Sequence, residues 1–220
     1  MLPEDRILSL YEQVKYLDQS GIAGAFVECG VWKGGAVGMM ALAAGGPAGE
    51  RKLHLFDSFT DICEPHAELD GDRALQEVGS TGTGTGALRP IEGAYDGVGG
   101  HGTVEACKKL LHARIGYSKD LVDFHIGWFQ DTLPVDAGSI GPIALLRLDG
   151  DWYESTRVCL EHLYDLVVPG GFVVIDDYGT YEGCKKAVNE FVASRKIPVF
   201  LQSIDIGCVY FTKPGEQTGS

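Results

Sequence analysis

The stretch "IALLRLDGDWYESTRV", residues 143–158, decides the fold of this chain. An apolar run of Ile, Leu and Ala ends abruptly at Asp149, and a segment with the spacing of a helix follows. A second apolar run, within "GGFVVIDDYGTYEG" at residues 170–183, ends in the same way at Asp176 and Asp177. Runs that are apolar on both faces predict strands of a parallel sheet that helices cover on both sides.

The same alternation of strand-like and helix-like segments extends over the rest of the chain. Helices are predicted over residues 4–19, 34–46, 103–116, 153–167 and 182–196, and strands over 24–31, 51–59, 121–129, 142–149 and 172–176. Two short segments, "VFLQSID" and "GCVYFTK", predict a strand pair that closes the sheet. We therefore expect one domain, residues 1–214, with a doubly wound, mostly parallel seven-stranded α/β sheet and an antiparallel closing strand, followed by a frayed tail at 215–220.

One segment interrupts this alternation. Residues 60–102 show no convincing periodicity, and the part at 79–102, "GSTGTGTGALRPIEGAYDGVGGHG", is rich in glycine. A loop of that length in a compact domain is usually functional or disordered. Two interpretations stay open, namely a flexible surface insertion and a lid that orders over the active site when substrate binds.

The composition excludes several classes of partner. The chain has 220 residues, of which 45% are hydrophobic and 22% charged, and its formal net charge is −13. Such an acidic surface repels nucleic-acid phosphates and anionic lipids, so we expect neither nucleic acid nor membrane as a partner. No apolar run reaches the roughly 20 residues that a membrane-spanning helix requires.

The N-terminus and the cysteines indicate a cytoplasmic protein. Residues 1–21 mix acids with apolar residues at helical spacing, and they lack the basic region and apolar core of a secretory signal. The six cysteines include no pair at C-x-x-C spacing, and most lie among apolar residues. We therefore expect reduced, buried thiols rather than a zinc site or a disulfide framework.

The first motif that indicates chemistry is "FVECGVWKGG", residues 26–35. A strand, then glycines, then the start of a helix form a tight turn at which a ligand can approach the backbone. The acid at the strand end repels a pyrophosphate but attracts an amino group or a sulfonium, which favours S-adenosylmethionine (SAM) over NAD. The predicted cofactor contacts in this turn are Glu28, Cys29, Gly30, Val31, Gly34 and Gly35. A glycine turn that serves packing alone is the alternative.

Further candidates for cofactor contacts lie at the ends of other predicted strands. Asp57, followed by Ser58, stands where an acid accepts both ribose hydroxyls or caps a helix. Three residues form an apolar wall for an adenine ring or belong to the core, namely Gly127, Trp128 and Phe129. Gln130 and Asp131 hydrogen-bond the base or cap the next turn, and Asp149 borders the same edge.

Four predicted strands place an acid at one edge of the sheet, namely Glu28, Asp57, Asp149 and Asp176. Asp149 and the pair Asp176–Asp177 end two strands that we expect to be neighbours. Three carboxylates from adjacent strand ends form the all-oxygen site that Mg²⁺, Mn²⁺ or Ca²⁺ prefers. Without a cation their mutual repulsion costs stability. The sequence therefore predicts a metal site, and the alternative is that these acids cap helices or pair with Arg147 or Lys185.

Together these motifs resemble the macrocin O-methyltransferase family. The resemblance covers about residues 24–193 and lies in "FVECGVWKGGA", "LFDSF", "GWFQDTLP", "LRLDGDWYEST" and "PGGFVVIDDYGTYEGCKKAVNEF", which follow the family's order. It implies the class I, Rossmann-like methyltransferase fold and an enzyme that uses SAM and Mg²⁺ to methylate a sugar hydroxyl of a glycoside, an oligosaccharide or a glycosylated natural product. A homodimer is the assembly that the resemblance suggests. The family's metal ligands correspond to Asp149, Asp176 and Asp177, and its SAM contacts to 28–35, Asp57 and 127–131.

The resemblance weakens where the acceptor should be recognised. No family motif matches the stretch at 79–102, and the chain begins close to its first predicted strand, with little of the N-terminal extension that helps bind acceptors in the macrolide enzymes. The acceptor is therefore left between a sugar and a phenol or catechol. Trp152 and Tyr153 either form a wall for the acceptor or pack their helix onto the sheet.

Methyl transfer to a hydroxyl requires a base for its proton. Related catechol enzymes place a lysine shortly after the first metal-binding aspartate, where this chain has Trp152. Asp149 is the first candidate base and Asp151 the second, while His125 and the loop residue His101 are weaker candidates.

Other classes of protein explain fewer of the motifs. A glycosyltransferase that binds a nucleotide-sugar through a D-x-D motif would leave the turn at 28–35 and the pair Asp176–Asp177 without a role. An NAD-dependent reductase would lack a turn that accepts phosphate. A non-catalytic binding module would have little use for an acidic metal site beside an adenosine pocket.

Overall fold

The computed structural model describes residues 2–79 and 83–215, so the predicted tail at 215–220 lies outside the described residues apart from Gly215. The strands are β1 (Ala25–Cys29), β2 (Leu53–Asp57), β3 (Val122–Ile126), β4 (Ile143–Leu148), β5 (Val167–Ile175), β6 (Gln202–Ser203) and β7 (Val209–Thr212). The α-helices are α1 (Glu4–Gln19), α2 (Gly35–Ala43), α3 (Gly71–Glu77), α4 (Val104–Lys108), α5 (Phe129–Asp136), α6 (Tyr153–Leu163) and α7 (Glu182–Ser194).

The seven strands of the described ranges form one sheet in the order β3-β2-β1-β4-β5-β7-β6. Strands β1 to β5 are parallel to one another, and β7 lies antiparallel to both β5 and β6. The predicted doubly wound, mostly parallel sheet with an antiparallel closing strand is therefore confirmed. Because β2 and β4 lie on opposite sides of β1, the carboxyl ends of β1 and β4 border a crevice, which is where such sheets bind ligands.

Alternate side chains of each strand build a core on each face of the sheet. On one face Phe26 packs in the cluster that contains Val14 of α1 and Met40 of α2. On the other face Val27 packs with residues of α5, α6 and α7, among them Leu133. The burial of both faces explains why the central strands are apolar along their whole length.

The register of the central strands aligns polar residues at the edge that borders the crevice. Glu28 of β1 lies opposite Arg147 of β4, and Arg147 lies opposite Val174 of β5, two residues before Asp176. Side chains at every second position of a strand share a face, so Glu28, Arg147 and Asp176 all point to the side of the sheet that α1 and α2 cover. These three polar residues therefore lie together on one face of the sheet, at its carboxyl edge.

Two helices were not predicted from the sequence. The segment 60–102, for which no periodic element was expected, contains α3, and residues 127–136 contain α5. In α3 only Ala74 is fully buried, so no apolar stripe marks the helix. In α5 the aromatic residues at its start favour a strand, and Pro134 lies within the helix.

Two predicted elements differ in their course. Strand β5 begins at Val167 rather than at residue 172, because the Pro-Gly-Gly stretch at 169–171 is taken up as an irregularity within the strand. The predicted helix at 103–116 is regular only in α4, and it continues as a wider π-helical turn over Lys109–Ile115.

All six cysteines are buried and free, as predicted. Among the described residues, no helix is both long and apolar enough to cross a membrane.

Candidate active site

The crevice between β1 and β4 opens into a cavity of about 1030 Å³. Most of the predicted site residues line it, namely Glu28, Gly30, Val31, Gly35, Asp57, Ser58, Gly127, Trp128, Phe129, Asp149, Asp151, Asp176 and Asp177. The predicted residues that lie elsewhere are Cys29, Gly34, Gln130, Asp131, His101 and His125. One cavity thus joins the predicted cofactor turn to the predicted metal site.

The turn after β1 depends on glycine at position 30. Gly30 has a φ of +90°, which residues with a side chain rarely adopt. A Cβ at this position would lie 1.8 Å from the carbonyl oxygen of Asp149. The turn can therefore follow this path past the end of β4 only because residue 30 has no side chain.

Asp57 holds the same turn from the end of β2. Its Oδ2 accepts hydrogen bonds from the backbone N–H groups of Val31 (2.6 Å) and Trp32 (2.8 Å), and its Oδ1 accepts one from Phe59 (2.6 Å). Burial raises the pKa of Asp57, and these three bonds oppose the shift. The carboxylate therefore fixes the cofactor turn here, and its bonding to a ribose stays a prediction.

Glu28 offers the cavity an unpaired oxygen. Its Oε1 accepts a hydrogen bond of 2.7 Å from Arg147, but the buried Oε2 has no partner among the described residues. Burial raises the pKa of Glu28 to about 8, against the opposing effect of Arg147. A cationic group beside Oε2 would satisfy this oxygen and stabilise the carboxylate. The site therefore fits the amino group or sulfonium of SAM, and the contact of Glu28 with the cofactor stays a prediction.

Three carboxylates converge beside this turn. Oxygen atoms of Asp149, Asp151 and Asp177 all lie within 4.8 Å of one another. Burial raises the pKa of each of these acids, and for Asp151 and Asp177 the neighbouring carboxylates raise it further. A divalent cation would relieve this repulsion, and the all-oxygen donor set suits Mg²⁺ or Mn²⁺. The described acids therefore fit a metal ion.

Asp176, the third predicted metal ligand, is held by two arginines. Its Oδ1 accepts a hydrogen bond of 2.6 Å from Arg147, and its Oδ2 pairs with Arg6 of α1. The structure thus brings Asp151 into the carboxylate group at the position predicted for Asp176. Each carboxylate oxygen has two lone pairs, so these bonds leave Asp176 able to bind a cation, and its role as a ligand stays a prediction.

Arg147 connects the two halves of the site. Its guanidinium is only 1% exposed, and it donates to Glu28, to Asp149 (2.9 Å) and to Asp176. The alternative in which the acids pair with Arg147 is therefore part of the structure, while Lys185 instead lies over the ring of Tyr178. Among the described residues Arg147 forms no ion pair with Asp151 or Asp177. The charges of these two acids are therefore not balanced by Arg147, and a metal ion can still bind them.

The structure does not bring His125 to the cavity. Its Nδ1 lies 2.8 Å from Asp136, its Nε2 lies 3.2 Å from Nδ1 of His54, and its ring stacks on Phe56 at 4.0 Å. These contacts place the ring of His125, a residue of β3, between β2 and α5. As a candidate base His125 is corrected to a packing residue, because these contacts occupy its imidazole and it does not line the cavity.

The same histidine pair predicts a dependence of stability on pH. Burial and the neighbours His125 and Lys52 lower the pKa of His54 to about 4 from 6.5, against the effect of Asp123. Between pH 6.5 and 4 His54 binds a proton in the unfolded chain but not in the folded one. The free energy of unfolding therefore falls as the pH falls through this window. We expect a contribution of about 3 kcal/mol.

Urea unfolding at several pH values between 7 and 4 measures this contribution. His54→Gln cannot take the proton and should flatten the pH dependence, whereas His162→Gln should leave it unchanged. An unaltered slope in His54→Gln would show that other groups dominate.

The structure also gives the positions of the candidate base His101 and of the two aromatic residues Trp152 and Tyr153. His101 lies 3.8 Å from Asp61 at the rim and does not line the cavity. Trp152 is buried, and its Nε1 donates to the carbonyl of Cys63 (2.9 Å), so it mainly packs its helix although one edge lines the cavity. Tyr153 lies outside the cavity and donates to Glu190 (2.7 Å).

Several cavity residues were missed from the sequence. They are Arg6 of α1, Arg73 and Glu77 of α3, Tyr95 of the glycine-rich stretch, and Thr180 and Tyr181 before α7. Tyr181 donates to Glu77 (2.8 Å) and packs edge-on against Trp152. Their chain positions are far apart and carry no shared motif, so only the fold brings them together.

The strand order, with the acidic glycine turn after β1, is that of the class I methyltransferase fold. The chain belongs to the macrocin O-methyltransferase family, whose model matches residues 1–82 and 107–213. The resemblance inferred from the motifs is therefore confirmed, and the unmatched residues 83–106 include most of the glycine-rich stretch.

Individual relatives agree with this assignment. A tetracenomycin rhamnosyl 4'-O-methyltransferase of Streptomyces olivaceus is 33% identical over 84% of this chain and 64% of its own length. Demethyldecarbamoylnovobiocin O-methyltransferase of Streptomyces niveus is 32% identical over 97% of this chain and 75% of its own. The solved structure of the O-methyltransferase NovP superposes with a TM-score of 0.75 at 30% identity, over 96% of this chain and 80% of that one. The chain thus spans about two thirds to four fifths of these proteins.

Proposed function

We propose that this chain is a SAM- and Mg²⁺-dependent O-methyltransferase that methylates a sugar hydroxyl of a glycosylated small molecule. The observation that carries the proposal is the single cavity in which the unpaired Oε2 of Glu28 lies beside the carboxylate group of Asp149, Asp151 and Asp177. Membership of an O-methyltransferase family supports the reaction type. The tetracenomycin relative, whose name specifies a rhamnosyl substrate, supports a sugar acceptor.

The bound groups would supply two kinds of chemistry: SAM a methyl group on a positively charged sulfur, and Mg²⁺ a charge that acidifies and orients a hydroxyl. Glu28 and the turn that Gly30 and Asp57 shape would hold the cofactor. Asp149 and Asp177 would hold the cation, with Asp176 as the third ligand predicted from the sequence. Arg147 keeps Glu28 and Asp149 in fixed positions relative to each other through its two bonds to them.

Asp151 is the residue best placed to accept the hydroxyl proton. Its carboxylate has no hydrogen-bond partner among the described residues, whereas that of Asp149 is bonded to Arg147. Bound SAM would supply the methyl group to the acceptor oxygen and leave as S-adenosylhomocysteine (SAH), and Asp151 would hold the hydroxyl proton. Holding both reactants in line can contribute roughly 7–11 kcal/mol to the lowering of the barrier.

The lining beside the acids favours a sugar over a phenol. Arg73, Glu77 and Thr180 give this part of the cavity hydrogen-bonding groups, and Trp152 is largely withdrawn into the core. A hydroxyl-rich ring can bond such groups, while a flat phenol has fewer polar atoms with which to do so. The catechol alternative therefore ranks second.

Calorimetric titration with SAH, once with Mg²⁺ and once with a chelator, tests the proposal. We expect micromolar binding in both conditions, because the cation belongs to the acceptor side of the cavity. Methyl transfer to a glycoside should occur only with the divalent cation. No SAH binding in either condition would refute the proposed function, and titration of nucleotide-sugars with Mn²⁺ would then test the glycosyltransferase alternative.

A further inference from the structure

The glycine-rich stretch, whose described part is residues 83–102, forms one wall of the cavity. Four of its residues line the cavity, namely Ala94, Tyr95, Val98 and Gly102. The family model leaves residues 83–106 unmatched, so this wall belongs to this chain rather than to the pattern that the family shares. Its position and attachments therefore describe a part of the cavity that the family model does not cover.

The first half of the wall is fastened by Glu64. This carboxylate is 1% exposed and accepts hydrogen bonds from Thr83 (2.5 Å), Thr85 (2.9 Å) and the Nε of Arg89 (2.7 Å). These bonds lower the pKa of Glu64 to about 2, so it stays ionised at neutral pH. Cys63 also pairs with Pro90 in an isolated bridge. The stretch is thus attached to the domain by a buried charge rather than left as a free insertion.

The second half of the wall is fastened to the cofactor turn itself. The Nζ of Lys33 donates to the carbonyls of Val98 (2.8 Å) and Gly99 (3.0 Å), and the Nε1 of Trp32 donates to that of Gly100 (3.2 Å). A Cβ on Gly102 would lie 1.6 Å from the carbonyl oxygen of Trp32. The wall therefore closes directly against the backbone of the cofactor turn.

Between these two attachments Tyr95 faces the reacting part of the cavity. Its ring lies 6.2 Å from that of Trp32, measured between centroids. Burial raises the pKa of Tyr95, and the nearby carboxylates of Asp151, Asp149 and Asp57 raise it further, so the phenol keeps its proton. Its hydroxyl has no hydrogen-bond partner in the part of the chain that the structure describes. A partly buried, protonated donor thus faces the space between the cofactor turn and the acids.

Building on the proposed O-methyltransferase function, we propose that Tyr95 is a specificity-determining residue that contacts the sugar acceptor. Its hydroxyl donates a hydrogen bond to an oxygen of the sugar, and its ring covers the apolar face of the sugar ring. The ionised carboxylates nearby can only accept hydrogen bonds, so they bind the hydroxyl protons of a sugar. The Tyr95 hydroxyl adds a donor, which binds an oxygen of the same sugar. Since the wall is fastened at both ends, Tyr95 selects the acceptor as a fixed surface.

Steady-state kinetics with methyl and 4-nitrophenyl α-L-rhamnopyranoside, and with catechol for comparison, test the inference. We expect Tyr95→Phe to raise the KM for a glycoside about 3- to 10-fold with little change in kcat, since one hydrogen bond is lost. Tyr95→Ala should lower kcat/KM by roughly 100-fold, because the ring contact is lost as well. Tyr153→Phe, on the outer surface, is the matched control and should behave as the wild type.

SAH calorimetry on the same variants separates the possible outcomes. Unchanged SAH affinity in Tyr95→Phe, together with the raised KM, supports the acceptor contact. Equal weakening of SAH binding and glycoside turnover would place Tyr95 in the cofactor pocket, and an unchanged KM would show that it does not touch the acceptor; either result overturns the inference alone. A wild type that binds SAH but methylates no glycoside would instead overturn the proposed function, and the inference with it.

Discussion

Replacing Asp151 with Asn lowers the turnover by about 10²- to 10⁴-fold, the range expected when a general base is lost. The affinity for SAH should stay close to that of the wild type. The affinity for Mn²⁺ should fall less than in Asp177→Asn, because removing the Asp151 charge weakens the attraction for the cation but breaks no side-chain hydrogen bond among the described residues. Single-turnover rates with a glycoside, SAH calorimetry and Mn²⁺ titration by electron paramagnetic resonance measure the three quantities.

The substitution is compatible with the local backbone. Asp151 has a φ of +58°, in the left-handed region that Asn tolerates as well as Asp does. Asn also keeps the size of the side chain, so a loss of activity cannot be ascribed to a new gap. Asp165→Asn, at an exposed position on the surface, controls for a general effect of removing one acid.

Asp177→Asn is the comparison that separates a base from a ligand. It should weaken Mn²⁺ binding, because Asp177 is buried within the carboxylate group. If Asp151→Asn weakens Mn²⁺ binding to the same extent, Asp151 is a metal ligand and Asp149 becomes the remaining candidate base. If Asp176→Asn leaves Mn²⁺ binding intact, the ligand predicted from the sequence is wrong at that position.

The sheet and the acidic edge were predictable because both follow from local patterns. Each central strand is an apolar run that stops at a polar residue, and parallel strands must end at the same edge. The sequence therefore located Glu28, Asp57, Asp149 and Asp176 along one rim, and the structure places them around one cavity.

The contacts that organise the rim could not be predicted in the same way. Arg147 interrupts an apolar run, and nothing local indicates that it contacts Glu28, which is 119 residues away in the chain. That pairing depends on the register between β1 and β4, a tertiary feature. The pairing of Arg6 with Asp176 depends in the same way on where α1 packs. Sequence patterns therefore located the acids, while their partners required the assembled sheet.

The structure of the glycine-rich stretch could not be predicted from local patterns. Glycine and threonine carry no periodicity, so the sequence left its structure open. The buried Glu64 organises it through long-range hydrogen bonds, and one charged residue outside an element gives no pattern from which such a role can be predicted.

Replacing Gly30 with Ala should destabilise the domain by on the order of 3 kcal/mol. A left-handed conformation costs about 1–2 kcal/mol for a residue with a Cβ, and overpacking adds about 1–3 kcal/mol. The overpacking is severe here, because the new Cβ would lie 1.8 Å from the Asp149 carbonyl oxygen. For a domain of this size the melting temperature should fall by roughly 10 °C.

Thermal unfolding monitored by circular dichroism measures the effect. Gly138→Ala is the matched control, because a Cβ at this exposed position would meet no heavy atom within 4 Å. It should stay within about 0.5 kcal/mol of the wild type. A melting temperature of Gly30→Ala equal to that of the control would contradict the close approach of the turn to β4.

Gly30→Ala should also weaken ligand binding at temperatures at which the variant is still folded. The Gly30 N–H donates to the carbonyl of Phe56 (2.9 Å), and the carbonyl of Cys29 accepts from the N–H of Asp149 (2.8 Å), so the turn is tied to β2 and β4 at once. Moving it away from Asp149 displaces both the cofactor turn and the end of β4 that carries a predicted metal ligand. Measured well below the melting temperature, SAH binding and Mn²⁺ binding should therefore weaken together. Weakening of SAH binding alone would show that the two halves of the cavity are independent, because the metal site would then tolerate the displaced turn.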